Sequence, residues 1–202
     1  MKYPALCLAA VGLLGLGGCS IDTVSTAWHW RDFAGAPDAA HFKPLRDDLA
    51  GCRDSDCSQG EWIADKDVEG LVDRVKARNP LALRIAMAGW PMMRNHGLTT
   101  DHLDAAVSTM AQTDAKAFLS AAAAEKTVLP DLVLQFGSQL SGDDEGRFQA
   151  LVARRAAISA VTEPELAATK AAYVTTLDKA IADADKTRPG AAPEALKPAA
   201  VP

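Results

Sequence analysis

The sequence predicts an all-α fold: a small helical bundle or short helical-hairpin array with an irregular N-terminal strap. Three observations carry that expectation. Apolar residues recur at i, i+3, i+4 and i+7 from about Asp67 onward, as in Val68, Leu71, Val72 and Val75, the spacing of one helical face. The segments between such stripes are short and hold caps and breakers, among them Asn79-Pro80, Thr113-Asp114 and Ser141-Gly142-Asp143. An alanine-rich segment, AKAFLSAAAAE, offers a small-residue face against which a neighbouring helix can pack closely.

Taken in chain order, residues 20–44 have no helical period and contain Gly35, Pro37 and Pro44. They read as part of a tether and strap over residues 19–44, with Trp28 and Trp30 on one side if extended. A helical domain over 45–186 follows. Its first clear helix has Asp67 as a cap, Glu69 in the first turn and Lys76 and Arg78 near the end, as the helix dipole prefers. Asn79-Pro80 starts a second helix, with Leu81, Ile85 and Ala88, that stops near Gly89-Trp90-Pro91. A third begins near Thr100 or Asp101 and carries Leu103, Val107 and Met110; a fourth begins at Thr113 or Asp114. Pro130 opens a fifth with Leu132, Val133, Phe136 and Leu140. Asp143, Asp144 and Glu145 head a sixth, which buries Phe148, Leu151, Val152 and Ile158. The last helix follows Thr162-Glu163-Pro164-Glu165, a capping-box pattern. Leu166, Lys170, Tyr173, Leu177, Ala180 and Ala184 then form a heptad-like seam. Lys170 interrupts that seam, which favours docking on the domain over a free coiled coil. Residues 187–202 are rich in Pro and Ala and read as a disordered tail.

Residues 68–86 and 103–121 align without gaps at an offset of 35, pairing Val68 with Leu103, Val72 with Val107, Val75 with Met110, Asn79 with Asp114 and Leu83 with Phe118. The period suits a helical-hairpin unit. Few of the pairs are identical, so two similar amphipathic hairpins without common origin explain the match as well.

The N-terminus carries a different signal. Met1-Lys2 is followed by an uncharged run, Ala5 to Gly18, too short to span a bilayer at the roughly 20 residues a helix needs. A basic start, a short apolar run and small residues at its end mark an export signal. The stretch Leu16-Gly17-Gly18-Cys19 resembles the lipobox of bacterial lipoproteins. The resemblance covers residues 1–20 only and implies that residues 1–18 are a signal peptide and that Cys19 becomes the acylated first residue. Ser20, where an Asp would often mark inner-membrane retention in enteric bacteria, favours the inner leaflet of the outer membrane, with the inner membrane as the alternative. The partner this implies is the lipid bilayer, through Cys19; a protein partner in the envelope is a separate expectation, resting on the helical array, the anchor and the lack of a catalytic constellation.

Removing residues 1–18 takes away one Lys and no acid, moving the formal charge from −5 to −6. An acidic exported protein lacks the basic footprint of nucleic-acid binding. Of the four cysteines, Cys7 leaves with the signal and Cys19 is the acylation site, leaving Cys52 and Cys57. An oxidising compartment and the CRDSDC spacing favour a local disulfide between them. Two cysteines without a second pair or a nearby His make at most half a zinc site.

No constellation rises to a catalytic or cofactor motif. Asp54 to Asp65 resembles a calcium loop, but Gln59 stands where the turn glycine belongs and the last acid is Asp rather than Glu; a solvated acidic turn is the better account. His96 and His102, with Asp101 and Asp104, lack metal-motif spacing. Ser138 is not in a GxSxG setting. Asp143-Asp144-Glu145 fits helix capping better than glycoside chemistry. Trp90, Met92 and Met93 combine a bulky aromatic with two adaptable thioethers, which suits either a partner-binding surface or a corner filled by the core. The expectation is therefore a non-enzymatic binding or structural module without cofactor or metal: an envelope-complex subunit, an assembly factor or an immunity protein. A hydrolase with an unfamiliar site and a small-molecule carrier are the alternatives.

Overall fold

Thr26, Trp30 and Phe33, at helical steps of four and three, are all fully buried. The segment expected to be an extended strap accordingly closes into helix α1 (Thr23–Gly35). A second helix, α2 (Ala39–Gly51), follows after three residues and buries Leu45 and Leu49. The computed structural model of the chain describes residues 23–51, 63–93, 98–129, 133–134 and 144–187. The all-α class holds: no strand occurs among the described residues. The irregular strap does not hold, and the boundary at residues 44–45 falls inside α2. Pro44 removes one hydrogen bond within that helix, a loss of about 3 kcal/mol in a helix interior, which the burial of Leu45 and Leu49 opposes. Nor do the two tryptophans share a side. On a helix they point apart, Trp30 into the core and Trp28 to solvent at 58% exposure.

The chain continues as α3 (Asp65–Lys76), α4 (Pro80–Met93), α5 (Leu98–Thr113) and α6 (Ala115–Glu125). The expected cap at Asp67 is not made: α3 begins two residues earlier, Ala64 holds the cap position without a side-chain bond, and Asp67 lies buried in the first turn. Nor does α4 stop at Gly89-Trp90-Pro91, but runs on to Met93. After Val133 and Leu134, which are helical and buried, come α7 (Asp144–Ser159), a 3-10 turn (Pro164–Leu166) and α8 (Ala167–Thr187). Leu151 and Ile158 of α7 are buried as expected, but Val152 is exposed. The capping box at Thr162 is not formed; the Glu163 carboxylate instead accepts from the Thr162 backbone N–H.

The helices stack as successive hairpins. Along one layer α1 packs on α3, α3 on α5 and α5 on α7; along the other α2 packs on α4 and α4 on α6. The offset of 35 seen in the sequence is therefore structural: Val68, Leu71, Val72 and Val75 fill the same places in α3 as Leu103, Ala106, Val107 and Met110 in α5, and all eight are buried. A further unit stands before these two. Asp38, Asn79 and Asp114 each precede the second helix of a hairpin, and each Oδ1 accepts from the backbone N–H three residues on, at 3.0, 3.0 and 3.2 Å. Gly70 lets α3 approach α1 closely: a Cβ there would stand 3.3 Å from the Ala34 Cβ. α8 docks rather than coils freely. Its Tyr173 meets Phe118 edge to face at 4.9 Å, donates to the Thr127 carbonyl and accepts from Leu129 N–H. Lys170, the interruption in the seam, donates to the Val161 carbonyl at 2.7 Å and so closes the turn into α8.

Candidate functional site

α6 ends on Glu125, the single acid on an alanine face, one turn beyond Ala121 and Ala122. That register carries its side chain inward, to 2% exposure, and a buried carboxylate is costly unless paired. Two guanidiniums meet it. Arg46 of α2 donates from Nε to Oε2 at 2.6 Å, and Arg84 of α4 donates from Nε to Oε1 at 2.7 Å. Arg84 also lies over the Phe42 ring, 4.6 Å from its centroid. With both oxygens held by guanidinium N–H groups, Glu125 joins three helices.

Beside this cluster the C-terminal halves of α2, α4 and α6 frame a cleft of about 240 Å³, lined by Arg46, Leu49, Met87, Ala88, Glu125 and Lys126, with Ala50 and Thr127 at its edge. The volume lies below the roughly 300 Å³ at which small-molecule sites begin and is closer to the space one bulky side chain fills. Lys126, which is exposed, borders the cleft in the left-handed conformation, φ 51°. On the other layer, Lys76, Arg78, Thr109, Met110 and Thr113 border a shallower depression of about 370 Å³ between α3 and α5.

Trp90 lies one half-turn beyond Ala88 on α4. It is half-buried against the core, and its Nε1 donates to the Asp104 Oδ1 of α5 at 2.8 Å. Burial drives the Asp104 carboxyl pKa up to about 7; the Trp90 N–H opposes the rise and the Asp101 charge adds to it. Asp104 is thus committed to Trp90. His102 is half-exposed and its Nδ1 lies 2.8 Å from the Glu69 Oε1 of α3. His102, Asp101 and Asp104 do not assemble a metal site, and no cluster of three or more His, Cys, Asp or Glu side chains suited to a metal occurs among the described residues. Glu145, in the first turn of α7, accepts from Gln149 Nε2 at 2.7 Å. The side chains of Met92 and Met93 lie outside the described residues, as do Cys19, Cys52, Cys57, His96, Ser138 and all but the end of the acidic loop.

The sequence reading missed Arg46, Arg84 and Glu125. The signal was present, since an acid at the buried register of an alanine stripe demands a cationic partner. The partners lie 79 and 41 residues away, and only the stacking of hairpins brings them together. No protein-family model, curated protein or solved structure matches the chain.

Proposed function

We propose that this chain is a lipid-anchored periplasmic lipoprotein whose hairpin array binds a protein partner, with Cys19 as the acylated residue and Cys52–Cys57 as a disulfide in the connection from α2 to α3. The observation that carries the reading is the stacking of successive hairpins in two layers. Arrays of this kind leave long rows of helix surface free, and they are built for extended contact rather than for a deep reaction pocket. The chemistry beside the cleft agrees with that use. Its one buried acid is held by two arginines, and its size suits an anchoring side chain of a partner. The reading also assigns partner contacts to the end of α4, at Trp90, Met92 and Met93. The partner is a protein of the envelope that offers one bulky apolar side chain with polar groups around it.

A photo-crosslinking amino acid in place of Lys126, at the border of the cleft, tests this in intact cells. The expected result is one discrete protein adduct that is absent when the probe replaces Lys179 on α8. The double change Met92→Ser, Met93→Ser should then weaken that adduct while the thermal midpoint stays nearly constant. Equal adduct patterns from both probe positions would overturn the cleft as the binding surface. A fall of several degrees in the double variant's midpoint would show that the two thioethers fill the core instead.

A further inference from the structure

The first turn of α1 lies close to the residue that would carry lipid. Cys19 and Thr23 are four residues apart. Fully extended, that stretch reaches at most about 14 Å. Acyl chains on Cys19 would therefore hold α1 against the headgroups rather than let the domain roam. The helix rises about 1.5 Å per residue, so Trp28 stands only about 7 Å further along.

Trp28 is the most exposed large apolar side chain among the described residues, at 58%. Nothing in the fold accounts for that, since Trp30 already fills the core from the same helix. Arg31 is also exposed, on the same face, with its guanidinium 5.4 Å from the Trp28 ring centroid. An indole beside a guanidinium is the side-chain chemistry of a membrane interface. The amphipathic ring settles among the headgroups, and the planar fork matches a lipid phosphate. Asp32 is exposed next to this pair, and the chain is acidic overall, so general electrostatics do not draw the domain to an anionic surface. A short anchor and one Trp–Arg pair supply the orientation.

We infer that the Trp28–Arg31 face of α1 lies on the lipid surface, seating the array on its first hairpin with α7 and α8 turned away from the bilayer. The inference rests on the lipoprotein reading of Cys19, and its test separates the two. The full-length protein, purified from membranes in detergent, is reconstituted into vesicles of phosphatidylethanolamine and phosphatidylglycerol, with and without lipids brominated near the headgroup. Its mass reports whether Cys19 carries acyl chains. Bromolipid should quench part of the tryptophan emission of the wild-type protein. Trp28→Phe should abolish most of that quenching, because Trp28 is the tryptophan that this seat places among the headgroups, while Trp30 is fully buried. Arg31→Glu should also reduce it, with helical circular dichroism unchanged in both variants. An acylated protein whose quenching is the same with and without Trp28 overturns the membrane seat and leaves the anchor standing. A chain without acyl mass overturns both.

Discussion

Asp104 and Glu125 are carboxylates drawn into helix interfaces, and the fold handles them differently. Glu125 meets two guanidiniums, whereas Asp104 meets one neutral donor, the Trp90 indole, and has the Asp101 charge nearby. Burial therefore dominates at Asp104 and raises its pKa from 3.8 to about 7. The folded state holds this proton more tightly than the unfolded chain, so the stability it contributes is complete below about pH 4 and is lost as pH rises through about 7. Across that window the slope is at most about 1.4 kcal/mol per pH unit. Asn at the same place keeps an acceptor for the Trp90 N–H and cannot titrate. Wild type should therefore lose stability relative to Asp104→Asn between pH 4 and pH 8, by an amount on the order of 3 kcal/mol. Urea midpoints at several pH values measure it, and a constant difference between the two proteins would show that Asp104 titrates normally.

At the scale of the element, the C-terminal ends of α3 and α6 share one construction. At the end of α3, Arg78 adopts φ 60°, its N–H reaches the Val75 carbonyl, and the Asn79 N–H reaches Arg74. At the end of α6, Lys126 has φ 51°, its N–H reaches Ala123, and the Thr127 N–H reaches Ala122. Both are Schellman closures with a long cation where glycine is usual, a conformation that costs about 1 kcal/mol for a residue with a Cβ. The next residue in the first turn, Asn79, caps α4 and also donates from Nδ2 to the Pro37 carbonyl of the preceding turn, at 3.3 Å. Neighbouring substitutions should thus act in opposite directions. Arg78→Gly should stabilise by up to about 1 kcal/mol, and Asn79→Ala should destabilise by about 1 kcal/mol or slightly more; thermal melts of the two variants decide it, and a loss for Arg78→Gly would refute the strain. These turns also mark what the sequence made legible. Asn79-Pro80 and Asp114 were readable because a short polar side chain before an apolar stripe has one common use. Asp38 does the same job, yet it was hidden, because Gly35, Pro37 and Pro44 read as breakers and masked the stripe of Thr26, Trp30 and Phe33. Pro37 in fact lies in the turn and Pro44 in a helix whose packing outweighs its local cost. The Glu125 cluster was illegible for a different reason, since its members sit on three helices that meet only through the stacking.

For the whole molecule, the central fact is that most contacts in a hairpin stack join neighbours, so cooperativity depends on what couples one unit to the next. Glu125 does more than that. Through Arg84 it ties the third hairpin to the second, and through Arg46 it reaches the first. A partner gripping the adjacent cleft would touch all three units, so the same cluster that fixes their spacing would fix the shape of that surface. Removing its carboxylate leaves two partly buried guanidiniums facing each other, a change that costs roughly 3 kcal/mol or more in buried pairs; partial exposure of both arginines, at 25% and 33% of their side-chain area, argues for the lower end. By contrast, Arg155–Asp178 is an exposed pair between α7 and α8, and breaking it with Arg155→Ala should cost well under about 1 kcal/mol. Glu125→Ala should do more than lower the midpoint. With the first hairpin released from the third, the tryptophan signal, which includes buried Trp30 of α1, should lose its native value at lower urea than the helical circular dichroism does. In the wild-type protein the two transitions should coincide. Coincident transitions in Glu125→Ala, with only a small shift of midpoint, would mean that the hairpins hold together through their apolar faces alone and that the arginine–glutamate cluster is incidental to the array.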